Sequence, residues 1–268
     1  MPATVTELYH EASNAMLARG GVVSNDMRSL LEAVFFQAHI AEQRVIEDVQ
    51  LMRAMLAVFD QRTTHASNSE IKRLPEYQQA VDSLPSEAHE ELEAMKARVK
   101  DDKLPLLSLM QIDPLQMQSS HLSFQEYFAA CAICSEKYRL PKGSRPPWQW
   151  SAFWANAVKL GGEMGDAFGC GLMRTAGLEA TLNLNGKLRG DRPTTIAVVA
   201  ELVRALTSLD LSSNNLSSGE GAKIAERLKI SKTLTALKYA AASPASGVLS
   251  VPPSVSCRLS LAVWDTIS

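Results

Sequence analysis

Residues 206–216 read LTSLDLSSNNL, with leucines at 206, 209, 211 and 216 and an asparagine at 214. Leu209 and Leu211 stand two apart, so on a short strand they share one face and can enter a common core. Asn214 falls where the chain must leave the strand. An amide turned inward there offers both donors and an acceptor to backbone groups that the bend would leave unpaired. Ser217, three residues before Glu220, then has the spacing of a capping box, and it opens a helix carrying Ala222, Ile224, Ala225 and Leu228.

The pattern recurs on both sides. Leu234 stands 28 residues after Leu206, and Leu237 follows Leu209 by the same step. Upstream, LNL at 182–184 precedes LDL at 209–211 by 27, with TTIAVVAELVRAL between them. A strand and a full helix per 27–28 residues is the leucine-rich-repeat spacing, with Leu206, Leu209, Leu211, Asn214, Leu216, Leu234 and Leu237 as its framework. The first unit is degraded, since Lys187 takes the place of the asparagine. The array spans 178–240 and leaves an unpaired strand edge open to self-association. After Tyr239 the leucine period ends, and Pro244, Pro252 and Pro253 interrupt a serine-rich stretch. We expect residues 241–268 to be irregular, save a short strand or helix near Leu259–Trp264. So abrupt an end suggests a truncated or altered form of a longer ancestor.

Before the array, WQWSAFWANAVKLGGEMGDAFGCGLMRTAG supplies Trp148, Trp150, Phe153 and Trp154 as anchors for a helical connector over 141–177. Gly165 and Gly169 form a GxxxG that suits close helix packing, because Glu163 and Asp166 do not belong in a membrane dimer.

Residues 1–140 are helical by periodicity. TVTELYHEASNAMLARGG places Val5, Leu8, Tyr9, Ala12, Met16 and Leu17 on one face, with Thr4 and Glu7 as a capping pair. A second helix starts near Asn25 and carries Leu30, Leu31, Val34, Phe35 and Ala38, and a third carries Val49, Met52, Leu56 and Phe59. Polar residues 61–75 read as a loop, followed by helices in EYQQAVDSL and in SEAHEELEAMKARVK, the latter mostly solvated. Apolar runs around Asp113-Pro114 predict a β-hairpin within 104–120. HLSFQEYFAACAIC then forms a helix, with Ser123 as N-cap, Glu126 completing its box, and Leu122, Tyr127, Ala130, Cys131 and Cys134 facing inward. Helices, a hairpin and a closing helix suit a winged-helix arrangement. The expected fold is therefore mainly α with a small β-hairpin, followed by a short α/β leucine-rich-repeat solenoid and an irregular tail.

In this order the features resemble the NACHT and leucine-rich-repeat proteins of the NOD-like receptor type. TELY at 6–9, HLSFQEYFAA at 121–130 and LTSLDLSSNNLSSGEGAKIAERLK at 206–229 carry the likeness. The resemblance implies that His121 sits beside a bound ADP, where an imidazole can donate a charge-assisted hydrogen bond to phosphate. Packing at the helix entry is the competing role for His121. The chain contains no GxxxxGK[ST] loop to cradle phosphates. We therefore expect no cofactor and no enzymatic activity, and a protein-binding regulatory module instead. The alternative is a subunit that lends His121 in trans to a separate NACHT-type ATPase.

Composition narrows the field further. With 268 residues, 46% hydrophobic and 21% charged, the chain can build one or two cores. A formal charge of −2 gives no general electrostatic reason to bind nucleic acid or anionic membrane. No run approaches a membrane span, and the N-terminal residues lack a secretory pattern, so we expect a cytoplasmic protein. Cys131 and Cys134 form a CxxC inside an apolar helix, which favours packing over redox or metal chemistry.

Overall fold

The computed structural model describes residues 2–21, 23–60, 74–240 and 246–250. The chain is mainly helical with two small sheets, in two compact units, Met1–Ser144 and Arg145–Ser268. No described helix is long and apolar enough to cross a membrane.

The first unit is built round α2 (Asn25–Ile40), whose Leu30, Leu31, Val34, Phe35 and Ala38 are wholly buried. Ser24 caps it, its hydroxyl accepting from the Met27 N–H at 2.9 Å. Phe35 stacks on Phe128 of α6 (Leu122–Cys134) with ring centroids 5.1 Å apart. The other packing partner is α3 (Asp48–Phe59), which buries Leu51, Ala54, Met55 and Leu56. Helix α1 (Val5–Arg19) is capped by Thr4, which accepts from the Glu7 N–H at 3.1 Å. It meets α6 through Tyr9, whose ring lies 5.7 Å from Phe124 and 5.9 Å from Tyr127. That contact turns the Tyr9–Ser13–Leu17 line inward. Val5 and Leu8, expected on the buried face, are instead 46% and 53% exposed.

Helices α4 (Leu74–Asp82) and α5 (Ser86–Lys100) follow. On α5 the stripe Ala88–Leu92–Met95–Val99 is buried while its charges face outward. Residues 61–73, where a loop is expected, lie outside the described residues. Strands β2 (Leu107–Gln111) and β3 (Gln116–Ser119) pair antiparallel across the Asp113-Pro114 turn. A third strand, β1 (Val45–Ile46), joins the far side of β3, giving the order β1-β3-β2. At two residues it is too short for any periodicity to announce it.

In the second unit two single-turn 3₁₀ segments, Pro147–Gln149 and Ala152–Trp154, precede α7 (Ala155–Glu163) and α8 (Asp166–Thr175). Trp150 and Trp154 stack with centroids 3.8 Å apart and are buried. The two glycines of the GxxxG do different work. A Cβ on Gly169 would stand 2.5 Å from the Glu201 carbonyl oxygen, whereas Gly165 supplies a φ of +83° at the start of α8.

Strands β4 (Thr181–Asn183), β5 (Ser208–Asp210) and β6 (Ala236–Ala240) are parallel and in register, aligning Leu182, Leu209 and Leu237. Helices α9 (Arg192–Leu202) and α10 (Ser218–Leu228) connect them, as parallel pairing requires. Helix α9 is buried on almost every side, with Val198, Val199 and Leu202 in the core, and it packs against α10, α7 and α8. A fourth strand, β7 (Ser246–Ser250), runs antiparallel along β6. This overturns two expectations. Residues 246–250 are not irregular, and the edge of β6 is paired. The possible element near Leu259–Trp264 falls outside the described residues.

Candidate functional site

The parallel sheet turns its leucines inward and a polar face outward. Leu184, Leu206, Leu209, Leu211, Leu216, Leu234 and Leu237 are buried. Outward stand Asn183, Asp210 and Lys238 in one aligned row and Thr181, Ser208 and Ala236 in the next. Burial works against the Asp210 charge, but the Ser212 hydroxyl and N–H, with Lys238 alongside, hold its carboxyl below the ordinary value. Hydroxyls beside the strands repeat with the units: Thr207 donates to the Ala180 carbonyl at 3.1 Å and Thr235 to that of Thr207 at 3.0 Å.

Asn214 fixes the bend behind this face. Its side-chain amide is buried and donates to the carbonyls of Leu184 (2.8 Å) and Leu211 (2.9 Å), and its Oδ1 accepts from the Leu188 N–H at 3.1 Å. Two of these partners belong to the preceding unit. Lys187, at the equivalent place there, is exposed and instead reaches the Asn183 carbonyl at 2.9 Å.

Two charged clusters were not foreseen. Arg192 lies on Glu220 through two nitrogens, one of them at 3.0 Å, and also donates to the Asn214 and Asn215 carbonyls at 3.1 Å each. Glu220 at the same time completes the Ser217 capping box. The Arg192 hydrogen bond pulls the Glu220 carboxyl down to about 2, with Ser217 assisting against the opposing effect of burial. In the second cluster Glu201, 4% exposed, meets Arg227 at 2.9 Å and Arg204 at 3.4 Å, and Arg204 continues to Asp166. An acid inside the apolar run TIAVVAEL was the sequence signal for it.

His121 is exposed and is itself the N-cap of α6. The cap expected of Ser123 is absent, and the helix begins two residues earlier, at Leu122. Strand β3 ends at Ser119, whose hydroxyl holds the His121 carbonyl at 2.5 Å, so two residues suffice to turn the chain. The ring of His121 lies 6.3 Å from that of Phe124.

The two cysteines of the CxxC, expected to face inward, are half-buried on α6 near Tyr127 and Glu32, while Ala130, Ala132 and Ile133 take the buried positions around them. Burial pushes both the Cys131 and the Cys134 thiol up to about 12, so both remain protonated at neutral pH. Burial also raises Glu32, against Lys137, Tyr138 and Arg28. Tyr127 ties this region to α1, its hydroxyl 3.2 Å from His10 Nδ1. Among the described residues no group of three His, Cys, Asp or Glu side chains forms a metal-ion site. Compared with known proteins, the chain matches no family model, no curated protein and no solved structure.

Proposed function

We propose that the chain is a protein-interaction and regulatory module of the NOD-like receptor type, and that it binds a protein partner on the outward face of β4, β5 and β6. The observation that carries this reading is the in-register parallel row Leu182–Leu209–Leu237, repeating at 27 and 28 residues with a helix behind each step. It supports a leucine-rich-repeat solenoid, as does the buried Asn214 amide bonding across units. In the first unit, the order helix–strand–helices–hairpin, closed into one three-stranded antiparallel sheet, supports the winged-helix reading. The sequence contains no GxxxxGK[ST] loop, and the reading assigns this chain no nucleotide hydrolysis of its own.

The outward face offers aligned polar side chains on a rigid backbone, which suits recognition of a folded protein surface or an extended segment. Reversing its charges with Asp210→Lys and Lys238→Glu tests the proposal. Proteins captured by the native chain and lost by this variant, with its fold intact, support the face as the binding surface. Equal capture by both sinks it.

A second reading has the chain join a separate NACHT-type ATPase and contribute His121 to its ADP site. The exposure of His121 at the start of α6 favours it. Association with such a domain that depends on ADP and disappears in His121→Ala would establish that role.

A further inference from the structure

We propose that His10 is a pH-responsive latch, holding the N-terminal part of α1 against α6 while its imidazole is neutral and releasing it when the ring gains a proton. Three hydrogen bonds across three helices carry the inference. Arg28 of α2 donates to Asn14 Oδ1 at 2.9 Å, the Asn14 amide nitrogen lies 3.0 Å from His10 Nε2, and His10 Nδ1 lies 3.2 Å from the Tyr127 hydroxyl of α6. A guanidinium only donates, so Arg28 fixes which end of the Asn14 amide is oxygen. The Asn14 nitrogen must then donate to a bare His10 Nε2, which leaves the ring proton on Nδ1. That Nδ1–H donates to the Tyr127 oxygen, whose own O–H is left to its other partner, the Cys131 sulfur. An arginine on one helix thus sets the tautomer of a histidine on another.

His10 is exposed to solvent, and imidazole changes charge between about pH 5 and 8. A second proton, on Nε2, meets the Asn14 amide donor. If Asn14 turns over to accept from it, its nitrogen faces Arg28 instead, so either way one bond of the chain is lost. The other titratable or charged groups around the ring are Tyr127 and Cys131 on α6, Arg28 and Glu32 on α2, and Glu7 and Glu11 on α1. Glu7, exposed and one turn back, attracts a charged imidazole, but an exposed pair at that spacing is worth less than the hydrogen bond lost. The docked ring is the neutral one, so docking strengthens as pH rises and weakens as it falls.

The C-terminal end of α1 is pinned, which makes it the pivot. The Gly20 carbonyl accepts from Arg98 at 2.9 Å, a Cβ on Gly20 would collide with the Lys103 carbonyl, and Leu17 is buried. Toward the N-terminus α1 meets α6 through Tyr9 and the latch. Release uncovers the faces of Phe124 and Tyr127 on which Tyr9 lies, two rings that are 7% and 5% exposed in the docked state.

Amide exchange of α1 in the full chain, corrected for intrinsic rates and measured relative to α2, tests this at about pH 7.5 and about pH 5.5. Protection of α1 should fall about fivefold at the lower pH, the factor that one hydrogen bond is worth. His10→Gln, which takes no proton, should protect α1 equally at both. Arg28→Met should also lose most of the pH dependence, because Asn14 is then free to turn its oxygen toward a protonated Nε2. Glu32, raised by burial, is the other acid of this cluster able to titrate. A fall that persists in His10→Gln would assign the effect to such a group and overturn the proposal. So would native protection that is equal at both pH values, or an Arg28→Met variant that keeps the full native pH dependence.

Discussion

The Asn214 side chain of one strand–helix unit donates to the Leu184 carbonyl of the unit before it, at 2.8 Å inside the core. Adjacent turns of the array are therefore tied by a side chain as well as by strand pairing. Asn214→Ala should destabilise the second unit by about 2–4 kcal/mol, because it strands buried carbonyls and the Leu188 N–H without partners. Urea denaturation followed by tryptophan fluorescence reads this, since three of the four tryptophans, Trp148, Trp150 and Trp154, lie close together in the sequence of the second unit. A loss below ~0.5 kcal/mol would mean that the bend satisfies itself without the amide.

Glu201 provides a second handle. Its carboxylate is buried between Arg204, with 11% of its side chain exposed, and Arg227, with 37%. Removing the acid leaves Arg204 short of a buried partner, and Glu201→Ala should cost about 3 kcal/mol. Arg227→Ala should cost less, about 1 kcal/mol, because water reaches that end of the network. Equal losses in the two variants would contradict the burial argument.

Acid should weaken the same unit through Glu220. Its folded carboxyl is held down to about 2, below the ordinary value, by Arg192 and the capping box. The stabilisation is therefore complete at pH above the unfolded carboxyl's range. It is lost as pH falls from about 4.5 through about 2. Glu220→Gln should melt lower than the native chain at pH 7, and the gap should narrow on acidification through that window. A gap that stays constant would show that the pair is screened to insignificance.

Thiol reactivity separates packing from redox chemistry in α6. Burial keeps Cys131 and Cys134 protonated, whereas Cys170 is exposed. In a Cys257→Ser background at neutral pH, iodoacetamide should modify Cys170 promptly and the CxxC only after denaturation. Rapid labelling of Cys131 in the folded chain would instead point to a thiolate and reopen the redox reading.

Mg-ADP should leave the thermal melt of the isolated chain where it is, and His121→Ala should shift that melt by less than ~0.5 kcal/mol in equivalent stability. An upward shift with ADP, abolished by the substitution, would assign the nucleotide to His121 in this chain.

Most elements were legible because their signals are local. The leucine pair at 209 and 211, with its echoes near 182 and 237, located three strands and the helices between them. Ser217 with Glu220 and Thr4 with Glu7 marked helix starts to the residue, since a cap needs only its own turn. What the sequence left undecided depends on partners far along the chain. Whether Val5 and Leu8 or Ser13 face inward turns on where Tyr9 meets α6, about 115 residues away, and no helical period contains that choice. Strand β1 exists only because β3 lies beside it. The Glu201 cluster draws its cations from two helices, and Asn214 draws its acceptors from two repeats. The last strand was hidden for the same reason. Ser246–Ser250 has no pattern of its own, and it becomes a strand through the edge that β6 presents to it.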